Sequence, residues 1–151
     1  MYEIQKFTVD PTVDLAVHAS GDTVSADIEV TDVLPIGGGA FLEMITIRDN
    51  SAEGKALDVL IFDGEASGTT FTNNAALDMA DLDLDKLVGI VNVPATAYFA
   101  FVDNKFAVVK DICMPIRVDT STSLWVALVS RSDHDFVAAG DLRVSLFIRY
   151  S

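Results

Sequence analysis

The chain has 151 residues, enough for about one domain with a core that needs no disulfide staples. Half of its residues are hydrophobic, and 23 acids against 10 bases give a formal charge of −13. No run of basic residues occurs along the chain, which disfavours phosphate backbones and anionic membrane surfaces as partners. The apolar runs, Ala97 to Val102 among them, fall far short of the roughly 18 residues that a membrane helix needs.

The elements follow in chain order. Tyr2 to Val9 alternates imperfectly and stops before Pro11, which predicts a first strand at a sheet edge. Val13 to Val17 reads as a short second piece, and Ser20-Gly21-Asp22 as a turn. Thr23 to Thr31 predicts another strand. Residues 37 to 64, GGGAFLEMITIRDNSAEGKALDVLIFDG, form the stretch around which the rest is organised. They read as two long apolar strands joined by the solvated connection Asp49 to Gly54. Apolar residues fall on both faces of each strand, a pattern that suits central strands covered by a second sheet or a neighbouring subunit. Residues 64 to 76 are small and polar and predict a long loop.

Asp78 to Leu87 predicts one or two helical turns, capped by Asp78, with Leu82, Leu84 and Leu87 toward a sheet. Val88 to Val93 is a further strand, ended by Pro94. Thr96 to Val102 and Phe106 to Ile112 flank Asp103-Asn104-Lys105 and predict a hairpin. A short extended piece follows Pro115, then a polar turn over 120 to 123, the buried strand Leu124 to Val129, and a loop over 130 to 140. In the last strand Leu142, Val144, Leu146, Ile148 and Tyr150 alternate with Arg143, Ser145, Phe147 and Arg149, so one face is apolar and the other basic. Eight or nine strands with at most one short helix predict an all-β antiparallel sandwich of jelly-roll type, in a single domain spanning 1 to 151.

No catalytic, cofactor or metal residues are assigned. Asp81-x-Asp83-x-Asp85, after Asp78, imitates the start of a calcium loop, but the positions that need Gly and Glu hold Lys86 and Asn92; a solvated acidic helix start is expected. In Asp133-His134-Asp135 a histidine between carboxylates could serve as base or ligand, but His18 is the only other histidine and nothing in the sequence places it nearby; an exposed polar loop is expected. Gly37-Gly38-Gly39 precedes a strand, with no G-K-[ST], and reads as structural. Trp125 and Tyr98 sit inside apolar runs and read as core. The lone Cys113, among apolar neighbours in DICMPI, reads as a buried structural thiol.

FTVDPTVDLAVHASGDTV near the start, VLPIGGGAFLEMITIRD to ALDVLIFD, and SLWVALVSR with the closing strand together resemble a group of small all-β virion structural proteins of tailed bacteriophages, often called head decoration proteins. The resemblance covers most of the chain and rests on strand order and turns. It implies a non-enzymatic protein that docks on the major capsid protein and assembles as trimers. The composition agrees with self-association: an apolar-rich sandwich is expected to bury surface between subunits, with acidic charge keeping its outward face soluble. The opening MYEIQKFTVD has no apolar stretch of signal-peptide type, so assembly in a host cytoplasm and a place in the virion are expected. The alternative on the same architecture is a carbohydrate-binding module, which would need an exposed aromatic platform or a calcium loop.

Overall fold

In a computed structural model that describes residues 1–150, the strands form two antiparallel sheets. The strands are β1 (Glu3–Val9), β2 (Thr23–Val30), β3 (Gly39–Asp49), β4 (Leu57–Phe62), β5 (Leu87–Val93), β6 (Tyr98–Ala100), β7 (Lys105–Val109), β8 (Met114–Arg117), β9 (Leu124–Ser130) and β10 (Leu142–Tyr150). One helical turn, α1 (Asp81–Leu84), and a 3-10 turn over Ala95–Ala97 complete the regular elements among the described residues. The larger sheet runs β1-β10-β3-β7-β6, with β8 also on β3; the smaller runs β2-β9-β4-β5. β7 and β8 lie end to end along β3, on Ile45 to Asp49 and on Gly39 to Leu42 respectively. Counted as one interrupted strand, and with the short β6 set aside, they leave two four-stranded sheets between which the chain passes at every connection except β4 to β5, which is the jelly roll. The ten strands exceed the eight or nine expected because of that interruption and the short β6.

β1 lies at an edge, as its ragged alternation suggests. β3 and β4 are both interior strands, but in different sheets, so the loop joining them crosses the sandwich. β10 follows its pattern closely: Leu142, Val144, Leu146 and Ile148 are buried, while Arg143 and Arg149 point away. Val13 to Val17 forms no strand. Gly37, at φ +74, and Gly38 make the turn into β3; a Cβ on Gly38 would lie 2.7 Å from the Pro35 carbonyl.

Two cores result. The main one lies between the sheets and includes Leu42, Ile45, Ile47, Val59, Ile61, Val126, Leu128 and Leu146. The second lies on the outer side of the smaller sheet, where Leu60, Phe62, Ala127 and Val129 pack with Ala66, Phe71, Leu77, Met79 and Trp125. Residues 64 to 76, expected as a long loop, therefore form with 77 to 84 a lid over that sheet. β4 is consequently buried at every position.

The lid is pinned by Asp83. Its carboxylate accepts a hydrogen bond from Thr69 Oγ1 at 2.7 Å and pairs with Lys86 Nζ at 2.9 Å, and these partners hold its pKa below the usual carboxylate range. Asp83 is buried, while Leu82 and Leu84 are exposed. The helix is thus turned opposite to the expected orientation: the apolar surface beneath it is already covered by Phe71, Leu77 and Met79, and the buried hydroxyl of Thr69 needs an acceptor. Its N-cap is Ala80, not Asp78, with no side-chain cap.

Candidate interaction surface

Asp78, Asp81 and Asp85 are exposed and Asp83 is tied into the lid. Among the described residues no group of three His, Cys, Asp or Glu is arranged to hold a metal ion, and no helix is long and apolar enough to cross a membrane.

The Asp133-His134-Asp135 loop departs from expectation. Asp133 and Asp135 are exposed, but His134 is only 1% exposed. His18, 116 positions earlier in the chain, lies beside it: the His18 amide donates to the His134 carbonyl at 2.8 Å. Phe136 stacks on His134, with centroids 5.2 Å apart, and meets His18 edge-on at 5.6 Å. His134 Nε2 lies 3.2 Å from the Lys55 carbonyl, which can only accept, so in the neutral ring Nε2 carries the proton; Nδ1 lies 2.7 Å from Ser130 Oγ, whose single proton it shares with the Ser132 carbonyl at 2.5 Å. A Ser–His pair of this kind is familiar from acyl-transfer enzymes, but Ser130 is wholly buried and so is its histidine. No substrate reaches it, and the pair anchors the loop.

Burial pushes the His134 pKa below its ordinary 6.5; the Lys55 carbonyl, Asp49 and Glu53 favour the charged ring, and His18 opposes it. A depressed folded pKa means that the unfolded chain takes up this proton first. The contribution to stability is complete above about pH 6.5 and is lost as pH falls from there toward the folded value. Urea unfolding at about pH 7.5 and about pH 5 is expected to show a loss of stability on acidification, and His134→Gln a smaller one. An equal loss in both proteins would assign the effect to the carboxylates.

Cys113 is exposed, contrary to expectation. It sits at φ +50 in the break between β7 and β8, where Asp111 also has positive φ, and the break turns it outward. Its thiol donates to Glu43 Oε2 at 3.6 Å, and the Glu43 charge raises its pKa. Trp125 is half-buried against the second core. Tyr98 packs on the main core, and burial, followed by the Asp49 charge, pushes its hydroxyl pKa up.

The surface that sequence reading missed is the outer face of the larger sheet. Cross-strand register places in one row Arg143, Arg48, Phe106 and Phe99, and in the next Thr8, Ser145, Thr46 and Val108. Lys6, Phe147 and Met44 form a third row, and Ile4, Arg149, Phe41 and Pro115 a fourth. Lys6, Arg48, Arg117, Arg143 and Arg149, half of the chain's 10 basic residues, thus gather on one face. Two of them lie over aromatic rings: Arg149 is 4.8 Å from the Phe41 centroid and 5.2 Å from that of Tyr2, and Lys6 is 5.8 Å from that of Phe147. β3 carries one extra residue here, Glu43, opposite the step between Phe147 and Ile148, and this bulge delivers the carboxylate to Arg149 Nε at 2.5 Å. Asp10 and Asp119 pair likewise with Arg143 and Arg117. At the β6 edge Phe99 is 68% exposed, Phe101 59% and Val102 96%.

Among the described residues the smaller sheet has a lid and the larger one has none. Together these features define an antiparallel jelly roll with one bare, aromatic and basic sheet face.

No family model matches the chain, and no curated protein does. Among solved structures, 99% of the chain is similar to a chain of infectious bursal disease virus, Gt strain, at 15% identity and a TM-score of 0.40, covering 32% of that chain. The VP2 subviral particle of the same virus matches 98% of the chain at 15% identity and a TM-score of 0.35, over 33% of its own length. Desmodium yellow mottle tymovirus matches at 10% identity and a TM-score of 0.29, over 88% of its chain. This chain spans about a third of the length of the first two. Likeness at this level carries no argument about function.

Proposed function

We propose that this protein is a single-domain, non-enzymatic structural subunit of a virus particle. It works by self-association and by docking on the shell as a head decoration protein of a tailed bacteriophage does. The observation that carries this reading is the bare face of the larger sheet. Monomeric proteins cover such faces or keep them polar; a contiguous face bearing Phe41, Met44, Phe99, Phe106, Val108 and Phe147 marks an interaction surface. Assembly buries those side chains at roughly 25 cal/mol per Å² of apolar area removed from water, offset by the entropy of association. A trimer on the major capsid protein is the finer form of the proposal, taken from the resemblance of the sequence.

Size exclusion with light scattering tests it, with and without EDTA. A closed oligomer unchanged by EDTA is expected, followed by retention on particles assembled from the major capsid protein. A single-subunit mass at every concentration, with no retention, would sink the proposal.

One observation favours a second reading, a carbohydrate-binding module. Phe99 and Phe101 form an exposed pair 5.1 Å apart, beside the exposed Asp103 and Asn104 of the hairpin tip, so aromatic stacking and sugar-hydroxyl partners are adjacent. Glycan binding that Phe101→Ala abolishes would favour this module.

A further inference from the structure

We infer that the bare face of the larger sheet docks on the acidic lid of a second copy of this chain, in a head-to-tail contact. The inference rests on the self-association proposed above and names the two surfaces that meet.

The chain is strongly acidic, at −13, yet half of its bases lie on this one face. The three acids that approach them, Asp10, Glu43 and Asp119, are each engaged by one of the arginines. Among the described residues Lys6 makes no ion pair, and Arg48 donates only to the Gly140 carbonyl. The remaining surface is therefore overwhelmingly acidic, and an acidic, apolar partner fits this face best.

The same chain presents such a surface on its other side. The lid over the smaller sheet exposes Leu82 at 79% and Leu84 at 50%, between the exposed carboxylates of Asp78, Asp81 and Asp85. Leucines turned outward beside aspartates match aromatic rings overlaid by arginine and lysine. Because the two surfaces lie on opposite sides of the sandwich, the contact is heterologous: each copy donates its lid to one neighbour and its sheet face to another. Rings form if the rotation closes, and open chains if it does not.

Salt dependence is a poor discriminator, since the repulsion between two acidic copies and the attraction at the contact are screened together. Complementation between broken halves is decisive. One variant carries Arg48→Glu with Phe99→Ser, on the sheet face; the other carries Asp81→Lys with Leu82→Ser, on the lid. All four positions are at least partly exposed, and circular dichroism with a single melting transition confirms folding; Val108→Glu replaces the face pair if it does not.

By light scattering each variant alone is expected at the mass of one subunit. An equimolar mixture is expected to yield a two-subunit species and nothing larger, because one intact face then meets one intact lid. If the wild type oligomerises and both variants still do, the inference fails while the proposed self-association stands. One variant that still self-associates alone would mean a contact of like with like, and variants that stay single even when mixed would mean that an intact face does not accept an intact lid; either overturns the inference. A wild type that is always a single subunit defeats both readings. Retention of the wild type on double-stranded DNA, lost with Arg48→Glu, would overturn the inference by assigning the face to phosphate.

Discussion

Replacing Leu146 with alanine is expected to lower folding stability by about 2–5 kcal/mol, a large share of what a domain of this size holds. Leu146 lies in the middle of β10, wholly buried. It stands opposite Phe7 of β1 and Ile45 of β3, so its side chain is where three strands meet the main core. Truncation removes apolar contacts from between two sheets that are each held by their own ladders and cannot collapse into the gap. For a chain of this length the corresponding fall in Tm is roughly 4–20 °C. Arg143→Ala, on the same strand but the opposite face, is expected to leave the urea midpoint nearly unchanged, because its exposed pair with Asp10 is screened by water. Equal losses from the two substitutions would contradict the assignment of faces on β10.

Much of this architecture is legible in the sequence because strands announce themselves locally. The alternation of β10 and the two-sided apolar pattern of β3 and β4 each follow from burial on one face or on both. The two covers differ in kind, however. β4 is covered by the chain itself, through residues 64 to 84, whereas on the outer face of β3 Phe41, Met44 and Arg48 stay half-buried and only Thr46 is buried. Phe71, Leu77 and Met79 are too sparse among small and polar residues to make a strand or helix pattern, so a lid of this sort reads as loop. Leu82 and Leu84 read as core-facing for the ordinary reason that leucine is usually inside. That expectation fails because Asp83, bonded to Thr69 and Lys86, takes the inward position.

The candidate surface was harder to see, for a reason of geometry. Lys6, Arg48, Arg117, Arg143 and Arg149 are each isolated in sequence or nearly so, and hydrogen-bonded register alone makes them neighbours. Lys6 meets Phe147 across 141 positions of chain. The same holds for His18 and His134, whose meeting on Phe136 depends on loops at one end of the sandwich. Long-range antiparallel pairing creates surfaces that no window of sequence contains.

The loop that carries the chain from one sheet to the other depends on a single carboxylate, and Asp49→Ala is expected to show it. Asp49 is 1% exposed. Its oxygens accept the Gly54 amide at 2.7 Å, the Ser51 amide at 3.0 Å and the Ser51 hydroxyl. Two residues of the turn adopt left-handed backbone, Ala52 at φ +57 and Gly54 at φ +58, and alanine holds that conformation only when its surroundings demand it. Alanine at 49 leaves a buried Gly54 amide and a half-buried Ser51 amide without acceptors, at about 1–3 kcal/mol for each buried donor. The expected total is roughly 2–4 kcal/mol, read as a lower urea midpoint with unchanged m and as faster hydrogen exchange at the Gly54 amide. Asp49→Asn keeps one carbonyl acceptor and is expected to fall between the two. Gly54→Ala attacks the same turn from the other side, since its Cβ would collide with the Lys105 side chain while the backbone stays left-handed. A loss below about 0.5 kcal/mol for Asp49→Ala, within the range of ordinary surface substitutions, would mean that water replaces the carboxylate and that the crossing of the sandwich is held by β3 and β4 alone.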